Sequence, residues 1–166
     1  MSERSYFEPD PLMDFYQFRT PEEFVKVYLV KGDFGKEVPE DIKASYKTAE
    51  FLMAHSYYYW PIYDEALLKI IGIYEMAIQF RCKDLGIELK NSKGWRKNLD
   101  TLHKELIEKL NLQEYQYTFS RIRSLRNDQA HPEIHSFGGG LFKTHIEFIV
   151  KFIKMIFETI PANKDF

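Results

Sequence analysis

The chain has 166 residues, of which 45% are hydrophobic and 16% aromatic, with 14 Phe and 11 Tyr. Its formal net charge is -2 at pH 7 and its pI about 6.2, which excludes a protein that coats nucleic acid through bulk positive charge. The single cysteine, Cys82, excludes an intramolecular disulfide framework, and no apolar run reaches the length of a membrane helix. The first residues also lack the apolar run of a secretory signal, so a cytoplasmic protein with no membrane association is expected.

In chain order, residues 1–19 read as an irregular arm whose aromatics (Tyr6, Phe7, Phe15, Tyr16, Phe18) call for packing on the body or on a second subunit. Residues 20–166 read as a single helical domain. Thr20-Pro21-Glu22-Glu23 is a helix start, with an N-cap Thr, Pro at the first position and Glu three after the cap. That helix is expected over 21–31, ended by Gly32. A second helix is expected from Pro39 to Tyr59, with Ile42, Tyr46, Ala49, Met53 and Tyr57 on one face. The cluster Tyr57-Tyr58-Tyr59-Trp60 reads as a packed corner between two helices rather than a base-stacking platform.

The third helix, 61–84, is apolar on nearly all faces and is therefore the central one. Glu75 interrupts its line Leu67, Ile71, Ile78, Cys82. A carboxylate there needs a partner, and Arg126 is the first candidate, with Arg121 or Arg123 next; otherwise Glu75 reaches solvent at an edge. Gly86 and the run 90–94 form a polar connection to a fourth helix, 96–110, marked by Leu99, Leu102, Leu106 and Leu110. A fifth helix follows from Leu112, and 132–140 is a loop. The last helix, 141–160, carries the seam Phe142, Ile146, Ile149, Ile153, Ile156, Ile160, and Phe148 and Phe152 add a second apolar edge suited to a dimer interface.

Charge, periodicity and a helix end converge on the fifth helix. Its apolar line Tyr115, Phe119, Ile122 steps next to Arg126, where a core or partner-facing residue is expected. A guanidinium does not shed its proton, so it needs an anion or several acceptors beside it. Pro132 disfavours helix at the residue before it, which ends the helix near Ala130 or His131. An Arg and a His at one helix terminus can hold a phosphate and move a proton. The same residues also have a purely structural reading, because last-turn cations offset the helix dipole and a His before Pro caps exposed carbonyls.

The run Arg126-Asn127-Asp128-Gln129-Ala130-His131 resembles the signature of the HEPN domain superfamily: an Arg, a polar residue directly after it and a His a few positions on, late in a helical domain. The resemblance covers about residues 40–160. It implies an all-α, up-and-down bundle of five to six helices, usually a homodimer with the two motifs facing across a cleft. It further implies a metal-independent endoribonuclease of toxin–antitoxin or phage-defence type, acting on RNA and not DNA, with no cofactor and with an antitoxin or other partner protein. Carried over by residue, His131 would be general base or acid, Arg126 would hold the scissile phosphate and Asn127 would orient either, with Glu75 and Arg123 in support. In one large toxin branch a Tyr stands two positions after the His; here Glu133 occupies that place. The alternative reading is a non-catalytic helical interaction or RNA-binding module, in which Arg126, Glu75 and His131 form a structural polar network.

Other chemistries find less support in the residues. His131, His135 and His145 lack the carboxylate or cysteine company of a metal centre, and no metal is expected. Gly138-Gly139-Gly140 lacks the residues of a phosphate-cradling loop. Cys82 lies inside an apolar helix, a poor place for a nucleophile.

Overall fold

A computed structural model describes residues 5–117, 120–122, 124 and 142–161. The architecture is all-α, with no strand among the described residues. The helices are α1 (Pro11–Phe15), α2 (Pro21–Tyr28), α3 (Glu40–His55), α4 (Ile62–Asp84), α5 (Leu99–Leu110) and α6 (Phe142–Glu158). A 3-10 turn, Gln113–Tyr115, follows α5, and residues 116–117, 120–122 and 124 are also helical.

Helix α4 is the centre of the bundle. Its apolar positions circle the axis because α3, α5 and α6 all pack on it. Tyr63, Ala66, Leu67, Ile70, Ile73, Tyr74, Ala77, Ile78 and Cys82 are buried, while Leu68, Lys69 and Gly72 face solvent. Each buried Leu or Ile contributes about 1.5–3 kcal/mol, so this one helix anchors much of the hydrophobic stabilisation. Opposite it, α6 buries Ile146, Ile149, Phe152, Ile153 and Ile156. Arg81 of α4 closes the far end of α6: its Nη2 donates to the Thr159 carbonyl at 2.7 Å, and the guanidinium lies 5.8 Å from the Phe157 ring centroid.

Several boundaries differ from the expected ones for identifiable reasons. Helix α2 stops at Tyr28 rather than residue 31, because Leu29 is extended and two backbone carbonyls go to buried phenols. Tyr63 donates to the Tyr28 carbonyl at 2.8 Å and Tyr46 to the Val30 carbonyl at 2.9 Å. Gly32 is where the chain crosses Tyr46; a Cβ there would meet the Tyr46 ring at contact distances no side chain tolerates. Helix α3 ends at His55 rather than Tyr59, its last turn held by Ser56 Oγ donating to the Met53 carbonyl. Helix α5 begins at Leu99, where the Asn98 carboxamide accepts from Thr101 N at 2.8 Å. Asn111, at φ 54°, ends it in the left-handed region, and the chain restarts through the 3-10 turn.

The arm is not irregular throughout: residues 11–15 are helical, with Asp10 as N-cap. Asp10 is buried and ties the arm to the α3–α4 corner. Its Oδ1 accepts from Leu12 N at 3.0 Å, its Oδ2 accepts from Trp60 N at 2.9 Å, and its own N–H donates to the Tyr57 carbonyl at 2.9 Å. Around this latch Met13, Phe24, Tyr57 and Trp60 form a small core of their own. Tyr57 and Trp60 are therefore corner-packing residues, whereas Tyr59 is exposed. No helix among the described residues is long and apolar enough to cross a membrane.

Candidate functional site

Arg123, Arg126, Asn127 and His131 lie outside the described residues, as do Phe119, Glu133, His135 and the loop 132–140. The helical residues that lead to them are described. Ile122 is 5% exposed and joins the main core, while Ser120 and Arg121 face outward. Ile122 thus fixes the stretch 120–122 in the bundle, with Ser120 and Arg121 turned to solvent.

Glu75, the supporting carboxylate expected on the central helix, is half-buried and is not an isolated charge. Arg121, one of the partners considered for it, is exposed. The residue before Glu75 carries the more unusual environment. Tyr74 is fully buried, and its hydroxyl lies 2.5 Å from Nε2 of His103 on α5, itself 4% exposed. Phe152 of α6 packs on the Tyr74 ring with centroids 5.7 Å apart. Burial, reinforced by the neighbouring Glu75 charge, pushes the Tyr74 phenol well above its usual range, so it keeps its proton. The two groups share one hydrogen bond between the Tyr74 hydroxyl and Nε2 of His103. The junction of α4, α5 and α6 thus holds a buried, hydrogen-bonded Tyr–His pair next to the half-buried Glu75 carboxylate.

The sequence reading overlooked His103, although a signal was present. Leu99, His103, Leu106 and Leu110 are spaced by four, three and four, so a histidine stands on the apolar face of α5. A polar ring at such a position requires a partner, and Tyr74 supplies it.

The remaining reactive groups are quiet. Cys82 is fully buried, its Sγ 3.9 Å from the Leu102 carbonyl, and burial aided by Glu105 pushes its thiol up to about 11. A protonated thiol in the core is not a nucleophile. No group of three or more His, Cys, Asp or Glu side chains is arranged to hold a metal among the described residues. His145 packs against Phe142 on its own helix, ring centroids 6.3 Å apart. A cleft of about 600 Å³ opens between Tyr6 and Phe7 of the arm and His55, Tyr58 and Tyr59 at the α3–α4 corner, with no lysine or arginine among the described residues that line it.

Searches of family models, curated proteins and solved structures give no match to this chain.

Proposed function

We propose that the protein is a metal-independent endoribonuclease of HEPN type, acting in the cytoplasm as a homodimer. The observation that carries this reading is the sequence Arg126-Asn127…His131-Pro132 in a chain whose described residues are all-α. RNA brings its own nucleophile, the ribose 2′-OH. An enzyme that cuts it without metal needs a proton acceptor, a cation for the phosphate and correct positioning. In this proposal His131 takes the 2′-OH proton or returns one to the leaving oxygen, its ordinary titration near neutral pH suiting both tasks. Arg126 holds the scissile phosphate in two-pronged fashion, and Asn127 orients the imidazole or the phosphate. Arg123 adds local positive charge, and Glu75 supports the guanidinium from the central helix. An activity of this kind fits a toxin or phage-defence component restrained by an antitoxin or other partner protein.

A charged stripe along α6 favours the dimer. Lys143, Glu147, Lys154 and Glu158 fall on one stripe along an edge of that helix, beside Val30, with Lys143 and Glu147 3.5 Å apart as an ion pair within the helix. Their signs are antisymmetric about the midpoint between Val150 and Lys151. A second copy laid antiparallel places Lys143 against Glu158 and Glu147 against Lys154 in both directions, as a two-fold interface requires.

Cleavage of a mixed RNA in EDTA by the wild type, beside His131→Ala and Arg126→Ala, tests the reading. Cutting by the wild type alone is expected. Absence of cutting, with both variants less stable than wild type, would instead favour the non-catalytic module, in which these residues form a structural network.

A further inference from the structure

The connection between α4 and α5 is a built hairpin. Lys97 N donates to the Leu89 carbonyl at 2.9 Å, Asn91 N donates to the Trp95 carbonyl at 2.8 Å, and Lys90 and Arg96 oppose each other in an antiparallel bridge. The tip is closed by Asn91 Oδ1, which accepts from both Lys93 N and Trp95 N at 3.0 Å, while Gly94 at φ 78° makes the left-handed turn. The base is fastened to two helices. Lys97 Nζ reaches both Glu105 oxygens at 2.8 and 2.7 Å, and Arg96 Nη2 donates to Gln79 Oε1 at 2.8 Å.

This tip displays a tryptophan, Trp95, 72% exposed. Lys83, Lys90, Lys93 and Arg96 are exposed, and none pairs with a carboxylate among the described residues. Glu88 is the one acid in residues 85–97. Like charges directly opposite each other across two strands, as Lys90 and Arg96 are, destabilise a hairpin. An anion between them reverses that sign. Arg96 also bonds Gln79 and Lys83 lies over the Phe80 ring, whereas Trp95, Lys90 and Lys93 stand exposed on the hairpin, and the chain as a whole has a net charge of -2. An exposed aromatic ring for stacking, carried on the same short hairpin as exposed cations, is a combination that holds a single strand of nucleic acid: a base lies on the ring and neighbouring phosphates on the cations.

We propose that the hairpin is a docking site for single-stranded RNA, with a base stacked on Trp95 and flanking phosphates held by Lys90, Lys93 and Arg96. The proposal deepens the ribonuclease reading by naming how the substrate strand is held, and it rests on that reading only for the choice of RNA.

The test uses the full chain and a 2′-O-methyl oligouridine 12-mer, which binds but offers no 2′-OH for cleavage. Trp60 is buried, so quenching of tryptophan fluorescence reports on Trp95. Saturable quenching is expected. Trp95→Ala should weaken binding, read by anisotropy of a labelled oligomer, by roughly 5- to 150-fold, while Trp95→Phe retains most of it. The pair Lys90→Glu and Arg96→Glu should weaken binding and flatten its dependence on salt. Trp95→Ala binding as tightly as wild type overturns the proposal, as does duplex RNA binding as well as the single strand. Displacement by polyglutamate at equal charge concentration overturns it in favour of an acidic protein partner. Trp95-dependent binding without any RNA cleavage by the wild type would keep the docking site and remove the ribonuclease; cleavage without it would do the reverse.

Discussion

Asp10→Ala tests whether the arm belongs to the cooperative fold. The substitution removes two acceptors at once. The N-cap of α1 loses its bond from Leu12 N, and loss of such a cap costs about 1 kcal/mol. Trp60 N–H, buried at the α3–α4 corner, loses the acceptor it has at 2.9 Å, and stranding a buried donor costs about 1–3 kcal/mol. The sum is about 2–4 kcal/mol, which for a chain of this size lowers Tm by roughly 4–16 °C. Asp10→Asn keeps one carbonyl oxygen and loses one acceptor, so it should fall between wild type and Ala. Thermal and urea unfolding followed by circular dichroism measure both. An Asp10→Ala protein within about 0.5 kcal/mol of wild type, the range of ordinary surface substitutions, would refute the latch, as would Asn costing as much as Ala.

The thiol of Cys82 is held protonated by burial, with a folded pKa of about 11 against 9.0 for a free group. Its contribution, about 2–3 kcal/mol, is fully present below pH 9 and is lost as pH rises through 11. Tyr46, Tyr63 and Tyr74, raised above 10 by burial, act in the same direction. Urea midpoints should therefore fall between pH 9 and 11, less steeply in Cys82→Ala, and a flat profile, or a native thiol that reacts like free cysteine at pH 8, would contradict the core environment described. For the dimer, Glu147→Lys and Lys154→Glu each turn two opposite pairs into like pairs, so each should be monomeric in sedimentation. Mixed together they should form a heterodimer and the double variant a homodimer; single variants that dimerise as well as wild type would remove this face from the interface.

How much of this was legible in the sequence follows the range of the interactions. Local signals translated directly: Thr20 Oγ1 accepts from Glu23 N at 3.3 Å, Pro21 stands at the first helical position, and the all-round apolar pattern of residues 61–84 does mark the helix on which the others pack. Long-range bonds did not. The Asp10 latch joins residues fifty apart, and nothing near Asp10 in the sequence announces Trp60. The early end of α2 depends on phenols supplied by α3 and α4, so capping rules alone place it too late. At the candidate site, Glu75 was legible as a carboxylate out of place on an apolar line. His103 was equally out of place on α5, and reading both helices by the same rule brings the Tyr74–His103 pair within reach. The run 90–94 was legible as a polar connection, but the opposition of Lys90 and Arg96 exists only once the two segments are bridged.

The most direct test of the account is end-group analysis of RNA cut in EDTA, run beside the same sequence carrying 2′-O-methyl ribose. The account predicts that the RNA is cleaved to 2′,3′-cyclic phosphate ends, that the methylated strand survives intact, and that His131→Ala abolishes cutting while leaving the fold unchanged. Cleavage that stops in EDTA, proceeds on the methylated strand or persists in His131→Ala would contradict it.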